Sequence, residues 1–407
     1  MRIIFYRGEY PKKFNTETFQ KEPVGGTEFA AGYLAKQLSQ NHQVFFICQT
    51  PEEKEIDHIK WISLSPQGAN SQKEISAAFQ KIGQADILIL VGGLSNVLDD
   101  YKPSVQKIIC WANGLSLKPN TIAHLLANRI DTVVCTTHYA CEAVLHHTVK
   151  HLPLCSKIKY LFHSSYRQKF KNKFTFIYNG VNLDLFSDNL YHQIKKKPYK
   201  ILYAGVFNHQ KNPDKILKIF SQIKKALPQA ELHMCGSIEQ YKQENADKVT
   251  GYFDGDEFFN QIKKYIYNKE GKIRAHLYLR GALPPSLLTK EMMSSSLVVV
   301  NPQVQNQESS CIGALEAQAA GTPVVGGGRS ALEETIQNKI TGFVFRNQEE
   351  LAPLIINLLK NPTLLYKTGQ NARKRALAGF GWDTIACEWE NLFETLLKDD
   401  PFIPHKH

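Results

Sequence analysis

Three charged side chains in the second half of the chain are candidates for binding an anionic ligand. Glu308 and Glu316 stand eight residues apart in a stretch with helical character, and Lys211 lies just before another helix start. An ammonium group beside a helix N-terminus lies where the helix dipole and the free N–H groups attract anions. Preorganised cations and N–H donors of this kind also stabilise negative charge that develops on a ligand during a reaction.

The sequence around Lys211 predicts a strand, a loop and a helix. An apolar run ends at Gly205, and Asn212, Pro213 and Asp214 supply an N-cap, a first-turn proline and a first-turn acid. Taken alone this signal is weak, since a lysine before a helix is more often solvated than bound to a ligand.

The stretch around Glu308 has the same order of elements. A β-branched run ends at Asn301, and Ser309 or Ser310 then caps a helix that runs to about Ala320. Small residues leave the first N–H groups of this helix open, and ligands of open parallel sheets bind at the carboxyl ends of strands. The spacing of the two acids alone favours a structural alternative, a first-turn acid followed by a surface ion pair.

Short apolar runs alternate with helical patterns along the whole chain, which is typical of parallel α/β sheets. The pattern restarts after a polar, lysine-rich stretch at 189–199. We therefore predict two doubly wound domains, an N-terminal domain at 1–190 and a C-terminal domain at 199–380. The aromatic-rich helix at 381–398 is predicted to pack back on the first domain. The predicted strands are 3–7, 43–49, 87–92, 107–112, 132–137, 174–178, 200–204, 230–235, 275–279, 297–300 and 323–325.

The composition is that of a globular protein with two or three domains. Of 407 residues, 43% are hydrophobic and 21% are charged, which excludes a disordered chain. The longest apolar run, 85–91, is far below the roughly 20 residues of a membrane span, and no signal peptide is expected. The eight cysteines lie mostly in apolar runs, as expected of reduced thiols. We therefore expect a cytoplasmic protein and leave open whether it is also peripheral at the membrane.

The charge balance favours anionic partners. The formal net charge is +11, and residues 150–200 hold eleven Lys or Arg against two Asp, with aromatic residues between them. One interpretation of this basic stretch is a surface for anionic lipid or a phosphorylated acceptor. The other is a solvated loop and linker. No nucleic acid is expected, because no recognised binding module accompanies the charge.

Residues 308–325 resemble the E-x7-E signature of the retaining glycosyltransferases of family 4, which have the GT-B architecture. Further matches fall in the family's order: its glycine-rich loop at Gly25-Gly26-Thr27-Glu28, its seam turn at 178–186, its turn after the signature helix at 342–345, and its crossover helix from Trp382. The ordered set extends from about residue 25 to 397 and is more specific than any single match.

The resemblance implies a GT-B fold, in which two Rossmann-like domains face a cleft and the C-terminal helix crosses back to the first. It implies that the C-terminal domain holds a nucleotide diphosphate-sugar and that the N-terminal domain binds the acceptor. It further implies that the acceptor is a glycan, a lipid-linked compound or another hydroxyl compound. By the same resemblance, we expect transfer with retention and attack of the acceptor from the face of the leaving group.

The resemblance also assigns roles to residues. Glu316 would hydrogen-bond the donor ribose, and Glu308 would contact hydroxyls of the transferred sugar. The remaining donor contacts are implied for Lys211, Gly25, Gly26, Arg280 and the N–H groups of Ser310, Cys311 and Ile312. The lysine and these N–H groups would hold the diphosphate, the glycines would let the first domain approach it, and the loop near the arginine would face the base. No metal or other cofactor is expected, because the lysine and the helix dipole take that role.

Two positions depart from the family's pattern. Val206 follows Gly205 where the family commonly has an arginine. Asn113 stands where the family often has a histidine. Asparagine hydrogen-bonds a sugar hydroxyl but cannot act as a general base, so we expect Asn113 to contact the sugar or the acceptor.

Two motifs that resemble metal sites favour structural interpretations. Asp254-Gly255-Asp256 resembles the metal-binding DxD of the other large glycosyltransferase fold, but it lies in a polar stretch typical of a surface turn. His147 and His151 are followed by Cys155, yet no fourth ligand has a spacing suited to zinc. We expect no metal site.

Two other functions stay open: a sugar-nucleotide epimerase of the same architecture, and a degenerate member that binds a nucleotide or glycan without turnover. The transferase interpretation sets a spatial condition. The Glu308 carboxylate and the Lys211 ammonium must point into a common crevice between the domains, and neither is to be buried in an ion pair within one domain.

Overall fold

The computed structural model describes residues 1–8, 13–21, 24–65, 71–93, 95–99, 101–236, 257–400, 402 and 404. The chain forms two compact units. The first comprises Met1–Phe19, Gly26–Gly180 and Trp382–His407, and the second comprises Gln20–Gly25 and Val181–Gly381. The main break therefore falls before the polar stretch at 189–199, whose first residues belong to a helix of the second unit.

The first unit is built on a sheet of eight strands. They are β1 (Arg2–Arg7), β2 (Gln43–Cys48), β3 (Glu55–Ile56), β4 (Ile59–Ser63), β5 (Ala85–Val91), β6 (Val105–Ala112), β7 (Thr132–Cys135) and β8 (Phe174–Phe176). Their order is β3-β4-β2-β1-β5-β6-β7-β8, and all neighbours run parallel except β3, which is antiparallel to β4. The central strands are apolar without alternation because helices cover both faces of a parallel sheet. The edge pair of β3 and β4 was missed by the sequence analysis.

Among the described residues of this unit, the connecting helices are α1 (Thr16–Lys21), α2 (Gly26–Leu38), α3 (Gln72–Ile82), α4 (Pro119–Leu126), α5 (His138–Lys150), α6 (Leu154–Phe162) and α7 (Ser164–Lys171). Helix α2 contains the helical spacing of apolar residues that the sequence shows over 27–38, and its apolar side is buried. Helix α5 begins with a capping threonine, since the Thr137 side chain accepts a hydrogen bond from the Ala140 N–H.

The second unit carries six parallel strands. They are β9 (Lys200–Ala204), β10 (Glu231–Cys235), β11 (Leu277–Gly281), β12 (Leu297–Val300), β13 (Val324–Gly327) and β14 (Gly342–Phe345). Their order is β11-β10-β9-β12-β13-β14. This is the doubly wound 3-2-1-4-5-6 arrangement, in which the strand order reverses between β9 and β12. Residues 342–345, which the sequence analysis treated as a turn, form the edge strand β14.

The helices of the second unit are α8 (Asp188–Gln193), α9 (Pro213–Ala226), α10 (Glu257–Ile266), α11 (Pro285–Ser294), α12 (Ile312–Ala319), α13 (Leu332–Thr335), α14 (Leu351–Leu359) and α15 (Pro362–Gly379). The apolar sides of α9, α10 and α14, together with Leu365 of α15, join the central strands in one core. The sequence has helical character at 351–359 and 362–377, and these stretches correspond to α14 and most of α15.

The last helix, α16 (Trp382–Leu397), returns to the first unit, as the sequence analysis predicted. The Trp389 ring packs edge-on against Trp111 of β6 at a centroid distance of 4.9 Å. Glu390 lies 2.9 Å from a ring nitrogen of His42. None of the helices in the described part of the chain combines the length and apolar character that crossing a membrane requires.

Candidate functional site

The loops that follow β9 and β12 leave the second sheet at its carboxyl edge. The two strands are parallel neighbours, and the strand order reverses between them. Doubly wound folds bind their ligands outside such a reversal point. Lys211 lies in the loop between β9 and α9, and Glu308 lies in the loop between β12 and α12. The fold therefore brings together the two charged side chains that the sequence analysis selected.

The Lys211 ammonium and the Glu308 carboxylate form a direct ion pair. Nζ lies 2.6 Å from Oε1, and the side chains are 36% and 4% exposed, respectively. The sequence analysis was right that the two groups lie close together. Its condition that neither is buried in an ion pair within one domain is not met, because both residues belong to the second unit and Glu308 is almost completely buried against Lys211. The physical reason is that a carboxylate taken out of water needs a counter-charge, which Lys211 supplies.

Two asparagines that the sequence analysis did not select hold Glu308 in position. The Asn301 amide donates to Glu308 Oε1 at 2.9 Å, and Asn306 Oδ1 accepts from the Glu308 N–H at 3.0 Å. Asn306 also donates to the Gly327 carbonyl at 3.1 Å, which ties the loop to the end of β13. Asn301 has a φ of 36°, a conformation that asparagine tolerates better than most residues. An asparagine directly after a buried strand was the signal available in the sequence.

The loop that carries Lys211 is hydrogen-bonded to Asn301. Asn212 stands at the N-cap of α9 as predicted, but its side chain does not cap the helix. It donates instead to Asn301 Oδ1 at 2.7 Å. The Tyr203 hydroxyl donates to the Lys211 carbonyl at 2.9 Å. Hydrogen bonds therefore join the two loops and fix the position of the Lys211 backbone.

Helix α12 begins later than the sequence suggested. Its N-cap is Cys311, which has a φ of 65° and makes no capping bond through its side chain, so the prediction that Ser309 or Ser310 caps the helix is wrong. The first helical N–H group is that of Ile312. A side-chain carbon added at Gly313 would meet no atom within 4 Å. The first turn of α12 therefore borders open space on that side.

The Cys311 thiol is not a candidate nucleophile. Burial, with a further contribution from the charge of Glu308, raises its pKa to about 12. The thiol therefore stays neutral at physiological pH, and only a thiolate is strongly nucleophilic. Only the backbone of Cys311, and not its thiol, is therefore a candidate for contact with a ligand.

Glu316 lies in the second turn of α12. Burial raises the pKa of its carboxyl group to about 7. Within the described residues no hydrogen bond or ion pair reaches its side chain. A carboxyl group in such surroundings gains from a ligand that supplies hydroxyl donors.

Arg280 lies within β11 and not in a loop. Its guanidinium is 3.6 Å from the Glu291 carboxylate of α11 and 3.4 Å from a ring nitrogen of His233. A hydrogen bond from His233, together with the charges of Lys200 and Arg280, lowers the pKa of Glu291 to about 2. Arg280 is thus part of an ion network against α11, and its contact with a base stays a prediction.

Four further residues that the sequence analysis singled out are Gly25, Gly26, Asn113 and Val206. Gly26 is the first residue of α2, and Gly25 precedes it. Asn113 directly follows β6, and its Oδ1 accepts from the Gly92 N–H at 3.2 Å. Val206 accepts through its carbonyl from the Tyr203 hydroxyl at 3.3 Å.

The two motifs that resemble metal sites have different outcomes. Asp254-Gly255-Asp256 lies outside the described residues. The rings of His147 and His151 pack at a centroid distance of 4.2 Å. Across the described parts of the chain, no group of three or more His, Cys, Asp or Glu side chains is arranged to hold a metal.

The comparison with protein families concerns the unit that carries this cluster. Residues 191–375 match the family model described as "Glycosyl transferases group 1". The C-terminal unit belongs to this family. The resemblance on which the sequence analysis relied is therefore confirmed at the level of group 1, and Lys211, Glu308 and Glu316 all lie within the matched region.

A curated relative matches about half of this chain. Spore coat protein SA of Bacillus subtilis is 23% identical over 202 residues, which are 49% of this chain and 48% of the relative. The chain thus spans about half the length of the curated relatives it matches.

Solved structures resemble nearly the whole chain. Sucrose-phosphate synthase from Thermosynechococcus elongatus has a TM-score of 0.68 at 18% identity and covers 98% of this chain and 100% of its own. Anabaena HepE in complex with UDP-glucose has a TM-score of 0.66 at 15% identity, with the same coverage. At these identities the likeness shows the fold. The chain has the GT-B fold of two Rossmann-like domains, which confirms the predicted fold class.

Proposed function

We propose that this chain is a retaining glycosyltransferase of the hexosyltransferase type. It moves a sugar from a nucleotide diphosphate-sugar to a hydroxyl group of a glycan, a lipid-linked compound or another acceptor. The observation that carries the proposal is the 2.6 Å pair of Lys211 and Glu308. It lies at the carboxyl edge of a doubly wound sheet, beside the start of α12, within a group 1 unit.

The choice of a nucleotide-sugar as donor has support from the comparisons. One structural relative, Anabaena HepE, was solved with UDP-glucose. In this chain a lysine and a helix N-terminus lie side by side, which is the combination that binds a diphosphate. We propose that the Lys211 ammonium and the N–H groups of Ser310, Cys311 and Ile312 hold the diphosphate.

The chemistry follows from where charge develops. When the bond between the sugar C1 and the phosphate oxygen breaks, its electron pair stays on the diphosphate. The acceptor hydroxyl forms the new C1–O bond on the same face, and its proton passes to the departing phosphate oxygen. Configuration is then retained. Lys211 and the first turn of α12 stabilise the departing charge, and this contribution is greatest in the transition state.

Glu308 changes partners in this proposal. The diphosphate competes for the Lys211 ammonium, whose side chain is 36% exposed and can be reached by a ligand. The Glu308 carboxylate then accepts hydrogen bonds from sugar hydroxyls, while Asn301 keeps it in place through the 2.9 Å bond. Glu316 accepts from the ribose hydroxyls, which supply the donors that its carboxyl group lacks among the described residues. No metal is required, since the lysine and the helix dipole carry the positive charge.

A two-step experiment tests the proposal. A thermal-shift panel of UDP-, GDP- and ADP-sugars identifies the donor, because a ligand that binds the folded state raises the melting temperature. Release of the nucleoside diphosphate is then followed with and without a panel of hydroxyl acceptors. We expect release that depends on the acceptor and a product that keeps the anomeric configuration.

Three other outcomes would contradict the proposal. Conversion of one sugar nucleotide to another without an acceptor would indicate an epimerase. Donor binding in calorimetry with no product by mass spectrometry would indicate a degenerate member. Failure of every sugar nucleotide to stabilise the protein would remove the donor site altogether.

A further inference from the structure

Helix α6 leaves its apolar side chains in solvent. It has no buried residue. The exposed fractions of four of its side chains range from 46% to 79%, and these residues are Leu154, Ile158, Leu161 and Phe162. We call these four side chains the α6 apolar face.

The α6 apolar face points away from the protein. Its members follow the spacing i, i+4, i+7 and i+8, and they cover about 100° of the helix circumference. The side chain that faces inward is Tyr160, which is half-buried and packs edge-on against Phe170 at 5.8 Å. An ordinary surface helix buries its apolar side, so α6 shows the reverse arrangement.

Basic residues border this face on both sides. By helical angle, Lys157 flanks one edge of the face and Lys159 the other. No Asp or Glu occurs between residues 143 and 183. Additional positive charge comes from exposed side chains in or next to the neighbouring helices α5 and α7, namely Lys150, Arg167, Lys169 and Lys171.

Not all lysines of the basic stretch at 150–200 are accessible at the protein surface. Lys196 is half-buried and donates to the Thr322 hydroxyl at 2.6 Å. Lys200 is 4% exposed and pairs with Glu291 at 2.6 Å. Lys173 is half-buried and donates to the Ile130 carbonyl. These lysines stabilise the fold, so the accessible basic surface is centred on α6 and α7.

We propose that the α6 apolar face inserts into the interface of an anionic lipid bilayer, with the helix axis in the plane of the membrane. Leu154, Ile158, Leu161 and Phe162 then contact the acyl chains, and the flanking lysines contact phosphate headgroups. The charge favours a membrane over a second copy of this chain, because the segment from 143 to 183 carries no Asp or Glu and two copies of it would repel each other. Nine residues are too few to span a bilayer, so the contact is peripheral.

This inference is independent of the proposed sugar transfer. It depends on exposure and charge within the first unit, and its measurement needs no donor or acceptor. The two proposals can therefore fail separately.

The test is co-sedimentation of the full chain with vesicles. We expect binding to phosphatidylcholine vesicles that contain phosphatidylglycerol, weaker binding to pure phosphatidylcholine, and loss of binding at high salt. The double variant Leu161→Ser/Phe162→Ser should lower the partition coefficient roughly tenfold or more, because the two apolar side chains no longer enter the acyl region. Replacing Lys157 and Lys159 by Gln should lower it about fivefold for each lysine.

A matched control removes exposed apolar side chains elsewhere. Tyr366 and Leu377 of α15 are 66% and 37% exposed. We expect Tyr366→Ser/Leu377→Ser to bind anionic vesicles as the wild type does. Because the substituted apolar side chains are exposed, the two serine double variants should keep the wild-type melting temperature.

A fluorescent reporter measures insertion directly. The four native tryptophans, Trp61, Trp111, Trp382 and Trp389, are all buried. A Phe162→Trp variant therefore adds one exposed tryptophan. We expect the emission of this tryptophan to shift to the blue on anionic vesicles and to be quenched by brominated acyl chains.

Several results would overturn the proposal. These are wild-type binding by Leu161→Ser/Phe162→Ser, no preference for anionic lipid, or an unshifted Phe162→Trp emission. A wild-type dimer that the serine variant converts to a monomer, without vesicle binding, would assign the face to self-association instead.

Discussion

The ammonium of Lys211 and the carboxylate of Glu308 lie 2.6 Å apart and join the loops that follow β9 and β12. The two partners are unequal, since Glu308 is almost completely buried whereas Lys211 is partly exposed. Replacing the lysine alone therefore leaves a buried charge without a counter-charge, while replacing the glutamate alone leaves a cation that water can still reach. The two substitutions should therefore differ in their effect on the free energy of unfolding, although both should lower turnover.

We predict that Lys211→Met and Glu308→Gln each lower kcat/KM by about 100-fold or more, the effect of removing one group that stabilises transition-state charge. Lys211→Met should also destabilise the second unit by roughly 3 kcal/mol, because breaking a buried pair from one side is costly. The double variant should recover most of that stability and none of the turnover. Urea unfolding and steady-state kinetics measure both quantities.

The control for the two single variants and the double variant is Lys218→Met, which removes an exposed lysine from α9. It should leave stability and kcat/KM unchanged. Wild-type turnover in Lys211→Met or in Glu308→Gln would contradict the assigned roles.

The strands that carry the site could be predicted from the sequence because they are short apolar runs with clear ends. β9 and β12 were found for this reason, and so was the loop position of Lys211. The edge pair of β3 and β4 was missed, since β3 has only two residues and β4 keeps Lys60 exposed among apolar neighbours. The general architecture thus followed from local pattern, and the short edge elements did not.

The detail of the site depended on contacts between residues far apart in sequence. Asn301 links Asn212 and Glu308 across about 90 residues, and no local pattern indicates such a bond. The start of α12 was placed too early because serine is a good N-cap in general. Here the left-handed conformation of Cys311 turns the chain into the helix, after a loop whose path is set by Asn306.

Gly313 offers a steric test of the donor site. A side chain there would enter the open space beside the first turn of α12. We predict that Gly313→Leu folds normally but loses the donor-induced thermal shift, because the side chain occupies the position proposed for the diphosphate. The matched variant Gly313→Ala should keep the shift and gain up to about 1 kcal/mol in stability from its higher helix propensity. A full donor shift in Gly313→Leu would place the donor elsewhere.

Arg373 of α15 is predicted to be the main anchor of the segment around α8. Its buried guanidinium donates to the carbonyls of Phe186, at 2.7 Å, and Ala319, and it pairs with Asp188 at 2.6 Å. Lysine cannot reproduce this fork of donors. We expect Arg373→Lys to lower stability by about 3 kcal/mol, measured by urea unfolding. The exposed neighbour Lys374 is the control, and Lys374→Ala should have little effect. An unchanged unfolding midpoint in Arg373→Lys would contradict the anchor role.

Glu316 should make stability depend on pH. Its pKa is raised from an ordinary value of 4.5 to about 7 by burial. The folded state therefore favours the protonated form. The resulting stability is fully present below the ordinary pKa, and it is lost as the pH rises through the folded pKa. The loss is at most about 3 kcal/mol, since part of the residue remains in contact with solvent.

We predict that Glu316→Gln raises the melting temperature by several degrees near about pH 8 and changes it little near about pH 5, because the neutral amide removes the cost of the buried charge. The same variant should lose most of the donor-induced shift if the carboxylate accepts from the ribose hydroxyls, so stability and donor binding move in opposite directions. Glu270→Gln, at an exposed carboxylate of the same unit, should change neither quantity at either pH. An equal gain in melting temperature at both pH values would show that the effect does not come from titration of Glu316.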